Sequence, residues 1–286
     1  MKAFCPGHVT GFFVIEDGAA IPEKRGSRGA GFCVELGAVS EVTAEPGNEI
    51  QIYFEGIETD APVTRKALEL LLPEKMSIIA RIEHQAPMGQ GFGMSAAGTF
   101  ATCLAAAVEL EIGDPKYAAL KATHIAEVLN RTGLGDAVAQ SVGGFVHRLE
   151  PGIPPHGELE VLKIPPQDVI FCILGNPIST SSILSDSEIR ARIRESGNIC
   201  LRDFENVPGF DEFVDISWMF ARDSGLATEK MIRVLGGLGD LGKGSMVMLG
   251  NSIFAFGDID AIEKKFGGWG TVIKTKVAGT GAYIIH

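Results

Sequence analysis

Two stretches of this sequence place residues where they could do chemistry. The first runs Pro87-Met88-Gly89-Gln90-Gly91-Phe92-Gly93-Met94-Ser95-Ala96-Ala97, a glycine-rich turn leading straight into an Ala-rich segment. Glycines let a chain bend sharply and bring bare N–H groups close to a ligand. A helix start adds unpaired N–H donors and the positive end of its dipole, which together favour a phosphate. Ser95 stands at that start, where a hydroxyl can cap the helix or bind a metal. The same residues also fit an ordinary glycine turn with a serine N-cap. The second stretch runs from Thr132 to Gly144 and holds Gly133-Leu134-Gly135-Asp136. A carboxylate opening a short helix after two glycines can project into a cleft and accept a proton from a hydroxyl. It can equally be a plain N-cap.

Around these stretches the sequence predicts mixed strands and helices. Strands are expected at 31–42, 49–54, 77–83, 145–149, 159–164, 169–174 and 271–277, with a strand pair over 246–256. Helices are expected at 61–72, 95–110, 115–131, 137–142, 185–194, 210–224, 228–235 and 259–265. Elements that mix without strict alternation argue for α+β in two layers. The run Pro151-Gly152-Ile153-Pro154-Pro155 is the best hinge. Two domains are therefore expected, 1–150 and 151–286. Glu127 falls on the helix 115–131. Helical periodicity does not settle its direction, and with Arg131 at i, i+4 it fits a surface pair.

Composition excludes several classes. The chain has 286 residues and a net charge of −11. It lacks the basic balance of a non-specific nucleic-acid binder. The five cysteines form no C-x-x-C pair, as in a reduced, cytoplasmic protein. No run approaches the ~18 apolar residues that cross a bilayer. No membrane partner or nucleic acid is expected. Gly237 to Gly242 fits G-x-G-x-x-G, but it follows a helical pattern and precedes a strand. A dinucleotide fingerprint needs the opposite order. The Walker A spacing at Gly237–Lys243 fails because Gly244 takes the Ser/Thr place.

The Pro87–Ala97 stretch resembles the phosphate-binding motif P-x-x-x-G-L-G-S-S-A-A of the GHMP kinases, with Phe92 and Met94 replacing two motif residues. Cys5-Pro6-Gly7-His8-Val9 is similar to their N-terminal A-P-G-K/R motif, with His8 where relatives often carry a cation. Thr132–Gly144 resembles their G-x-D helix with its following G-G. The resemblance implies the two-domain GHMP kinase fold, α+β. Its first domain would be ribosomal protein S5 domain 2-like, and its second a ferredoxin-like α/β sandwich.

The resemblance also implies ATP and Mg²⁺ as cofactors. It places the phosphates against Pro87, Gly89, Gly91, Gly93, Met94, Ser95 and Ala96. Ser95 and Glu127 become Mg²⁺ ligands and Asp136 the base. The glycines of Gly236–Ser245 would correspond loosely to a third nucleotide loop. Within the superfamily, Gly26-Ser27-Arg28-Gly29-Ala30-Gly31-Phe32-Cys33 and Leu174–Thr180 resemble the archaeal pantoate kinases. That implies transfer from ATP to pantoate, giving 4-phosphopantoate on a route to coenzyme A. Ser27, His124, Arg148 and Thr180 would bind the acceptor, and a homodimer is implied. Homoserine-, shikimate- or mevalonate-type acceptors, or a non-catalytic sensor on the same fold, are the alternatives.

Overall fold

The structure is a computed structural model that describes all residues of 1–286 except 74, 179–182 and 184. Among the described residues the strands form two sheets. The larger is ordered β12-β1-β2-β5-β3-β4, with β6 against β2 and β7 against β6. Its strands are β1 (Lys2–Glu16), β2 (Gly26–Pro46), β3 (Ile50–Phe54), β4 (Ile57–Glu58), β5 (Met76–His84), β6 (Phe145–Glu150), β7 (Glu158–Leu162) and β12 (Tyr283–Ile285). The smaller is ordered β11-β8-β10-β9, from β8 (Asp168–Ile173), β9 (Gly242–Val247), β10 (Ser252–Gly257) and β11 (Thr271–Lys276). Among the described residues, pairing is antiparallel except for β3 with β5. The architecture is α+β, as expected.

The helices are α1 (Pro62–Leu71), α2 (Met94–Glu109), α3 (Pro115–Asn130), α4 (Asp136–Val142), α5 (Ser187–Asn206), α6 (Phe210–Asp223), α7 (Glu229–Gly236) and α8 (Ile259–Phe266). The Ala-rich α2 is buried on nearly every side, because small residues let the elements around it approach closely. The phenylalanines of β1 and β2 meet those of α5, α6 and β10. Phe12 lies 5.4 Å from Phe204, and Phe32 lies 6.0 Å from Phe213 and 5.3 Å from Phe254. One apolar core therefore runs beneath both sheets. The expected hinge at 151–155 connects β6 to β7, which pair with each other. The chain passes to the smaller sheet only after β7.

Three expectations need correction. No element was expected over β1. Its residues are buried on both faces, so the alternation that marks a half-exposed strand is missing. Helix α5 runs to Asn206, not to 194. Ser196-Gly197 looks like a stop, yet a Cβ at Gly197 would strike the backbone carbonyl of Phe13. That glycine is there to let α5 lie against β1. Lastly, Gly242 to Ser245 are not a loop but the start of β9, held to β10 by a regular register. Lys243 there pairs with Asp215 at 2.6 Å.

Candidate active site

The phosphate loop spans the end of β5 and the start of α2. Gly91 and Gly93 adopt φ of 83° and 63°, in the left-handed region that glycine tolerates best. A Cβ at Gly91 would come within 2.6 Å of the Met248 carbonyl oxygen. Gly93 is the N-cap of α2, and no side chain caps this helix. Ser95 is thus the second residue of the helix and not its cap, contrary to the capping alternative. The first N–H groups of α2 are left without a side-chain acceptor, which is what an anion seeks.

Several anchors fix the loop. Phe92 is buried and packs edge-on against Phe171, with ring centroids 4.8 Å apart. The Gln90 amide donates to the Gly175 carbonyl at 2.9 Å. Its oxygen accepts from Ser252 Oγ at 2.8 Å and from the Asn251 N–H at 3.2 Å. The Gln140 amide of α4 donates to the Gly93 carbonyl at 3.0 Å. The loop is therefore pinned to the smaller sheet on one side and to α4 on the other.

Glu127 of α3 is 2% exposed and faces the cavity, not Arg131. Burial and the negative charge of Asp136 push its pKa well above the usual carboxylate range. Thr132 Oγ1 lies 3.5 Å from its Oε1. A Cβ at Gly133 would collide with that carboxylate, so this glycine makes room for it. Asp136 is the first residue of α4, whose N-cap is Gly135. Its role as a cap is thereby removed. Its Oδ1 lies 2.7 Å from Nδ1 of His8, a residue with no exposed surface.

One cavity collects Ser27, Gly89, Gly91, Gly93, Met94, Ser95, Ala96, Glu127 and Asp136. Pro87 does not line it. Arg148 of β6 stands just behind its wall, 3% exposed, and donates from Nε to the Ser27 carbonyl at 3.3 Å. Its NH1 has no partner. Burial lowers its pKa to about 10 against the opposing pull of Asp136. His124 lies off the cavity, with Nε2 3.3 Å from the Pro22 carbonyl oxygen. Thr180 lies outside the described residues.

No residue of Gly236–Ser245 reaches the cavity. The turn after β9, Met248-Leu249, borders it instead. Sequence reasoning missed Thr10 and Phe13, which also line the cavity, together with the anchoring role of Gln90 and the contact of His8 with Asp136.

The arrangement places uncapped helix N–H groups, a hydroxyl and two carboxylates around one space. It can hold a phosphate chain at one end and take a proton at the other. Among the described residues, no group of three or more His, Cys, Asp or Glu side chains forms a metal site by itself. Hard oxygens from Ser95 and Glu127 still suit Mg²⁺, which takes one or two protein ligands and completes its shell with phosphates and water.

No protein-family model matches the chain. It is 33% identical over 268 residues to the pantoate kinase of Methanocaldococcus jannaschii, covering 91% of this chain and 94% of that protein. It is 31% identical over 284 residues to the pantoate kinase of Methanospirillum hungatei, covering 93% and 91%. A solved phosphotransferase related to the CoA biosynthesis pathway superposes with a TM-score of 0.90 at 26% identity, over 99% of this chain and 98% of that one. A mevalonate kinase structure superposes at 0.65 over 97% and 99%, and its 12% identity carries the fold alone.

Proposed function

This chain belongs to the pantoate kinase family, and from that premise we propose that it transfers the γ-phosphate of ATP to a hydroxyl of pantoate. The observation that carries the reading is the convergence of Ser95, Glu127 and Asp136 on one cavity at an uncapped helix start. The N–H groups at the start of α2 and the glycine loop hold the phosphates. Ser95 and Glu127 would hold Mg²⁺, which when bound draws charge from the transferring phosphoryl group. With the cation present, Glu127 becomes a carboxylate whose charge is matched. Without it, that carboxylate is forced toward its protonated form.

Asp136 accepts the proton of the acceptor hydroxyl as the bond to phosphorus forms, and holds the oxygen in line meanwhile. Arg148 supplies positive charge for the acceptor's carboxylate across the thin wall made by Ser27 and Gly135. A Cβ at Gly135 would lie 2.7 Å from Arg148 Nε and 2.8 Å from Ser27 Oγ. The low dielectric around a buried guanidinium makes that charge effective at short range.

The test is an acceptor panel of pantoate, homoserine, shikimate and mevalonate with ATP and Mg²⁺, read by ADP release and by ³¹P NMR of the product. A phosphate monoester formed on pantoate alone supports the reading. Turnover only with another acceptor, or none with any, overturns it.

A further inference from the structure

We propose that His8 is the positioning residue for Asp136, a neutral imidazole that donates from Nδ1 to one carboxylate oxygen and leaves the other turned to the acceptor. This rests on the reading of Asp136 as the base. The separation of 2.7 Å between His8 Nδ1 and Asp136 Oδ1 is that of a charge-assisted hydrogen bond. An ionised carboxylate can only accept, so the proton of this bond belongs to Nδ1.

The other nitrogen fixes the tautomer. His8 Nε2 is buried and has no partner. A hydrogen there would be a buried donor with nothing to receive it, which is costly. Nε2 therefore stays bare. Burial also holds the imidazole's pKa below its ordinary value, outweighing the pull of Asp136, and the nearby Arg148 lowers it further. The seat is shaped for the ring. A Cβ at Gly31 on the facing strand would come within 2.5 Å of Nε2. The backbone of His8 is also engaged, since its N–H donates to the Phe92 carbonyl in the phosphate loop at 2.9 Å. One residue thus ties the phosphate loop through its main chain and the base through its side chain.

The chemical consequence is specific to a neutral donor. A lysine or arginine against Asp136 would stabilise the carboxylate charge and lower its affinity for a proton. An imidazole orients the carboxylate and cancels less of that charge. His8 therefore fixes the direction of Asp136 without placing a second cation against its carboxylate.

The experiment joins NMR to a variant series. In ¹⁵N-histidine-labelled protein, His8 should show a protonated Nδ1 and a bare Nε2, assigned by its disappearance in His8→Asn. Asp136→Ala should shift that Nδ1 signal. An Nε2–H tautomer, or no response to Asp136→Ala, overturns the proposal independently of the kinetics.

In kinetics, asparagine places an amide N–H near the Nδ1 position, whereas glutamine places it near Nε2. His8→Ala and His8→Gln should lose about 10–100-fold in kcat, the scale typical of an orienting partner. His8→Asn should recover most of that loss, with the KM for ATP within about threefold of the parent in all three. Equal losses in the alanine and asparagine variants, or near-parental turnover in His8→Ala, overturn it. If Asp136→Asn is inert and the His8 series is normal, only this proposal fails. If Asp136→Asn is itself active, the base assignment fails first.

Discussion

The two ends of the cleft are built from different material. The nucleotide end is made largely of backbone, from the glycine loop and the uncapped N–H groups of α2. The acceptor end is made of side chains drawn from four elements: the buried His8 of β1, Glu127 of α3 and Arg148 of β6, and the partly exposed Asp136 of α4. A backbone site tolerates side-chain replacement so long as the conformation survives. A side-chain site depends on each group. Substitutions at the acceptor end should therefore act on turnover and acceptor affinity, and those at the nucleotide end on the anchors that hold the loop.

The largest effect is expected at Asp136. Asparagine keeps its size and its place at the helix start, so Asp136→Asn should fold and bind ATP normally. It should lose turnover by about 10²–10⁴-fold, the usual contribution of a general base. Steady-state kinetics beside a nucleotide-binding titration checks this. Activity within a few-fold of the parent would show that the acceptor end does not rely on a base.

Arg148→Ala comes next. A lost charge-assisted interaction is worth roughly 1.5–3 kcal/mol, or about ten- to a hundredfold in binding. The KM for pantoate should rise by that factor, with a smaller change for ATP. Because Arg148 is buried, a thermal melt must accompany the kinetics, and Arg148→Lys gives a second test. It keeps the charge but not the planar fork. An unchanged pantoate KM in both variants would move the carboxylate site elsewhere, with Arg28 the first candidate.

Gln90→Ala probes the nucleotide end. It removes the amide that joins the loop to Gly175, Asn251 and Ser252. Loss of these bonds should raise the KM for ATP several-fold, on the scale of about 1 kcal/mol for one net hydrogen bond. The pantoate KM should change less. Equal changes in both would mean that Gln90 supports the whole cleft and not one end of it.

The same contrast explains what could be read from the sequence. The phosphate loop is contiguous, and its glycines and following helix announce their chemistry within eleven residues. The acceptor end is scattered across β1, α3, α4 and β6, with Ser27 on β2, and no spacing rule brings Arg148 to Ser27. Resemblance alone selected those positions. Strand β1 was illegible because both its faces are buried, and Gly197 disguised the length of α5. Only geometry could show that Gly93 and Gly135, and not Ser95 and Asp136, are the N-caps, since a cap is defined by where the backbone turns helical. The run Gly242–Ser245 misled in the other direction, because glycines in an edge strand look like a loop.

The smallest effect expected is on stability, at Glu127 in metal-free protein. Its pKa is raised on folding above the ordinary value of 4.5, first by burial and then by the charge of Asp136. A raised carboxylate binds its proton more tightly in the folded state than in the unfolded one. The stability this gives is fully present below pH 4.5 and is lost as pH rises from there through the folded pKa. In EDTA, therefore, the parent should melt lower as pH rises across this window, more steeply than Glu127→Gln, which has no proton to lose there. The glutamine variant should melt above the parent at neutral pH, by about 2–4 °C for each kcal/mol of buried charge relieved. The two should converge near pH 4. Added Mg²⁺ and ATP should close the gap at neutral pH from the parent's side, because a bound cation favours the ionised carboxylate and stabilises only the protein that can bind it. A gap that is the same at pH 4 and pH 8 would mean that Glu127 does not titrate with folding, and would weaken its assignment as a metal ligand.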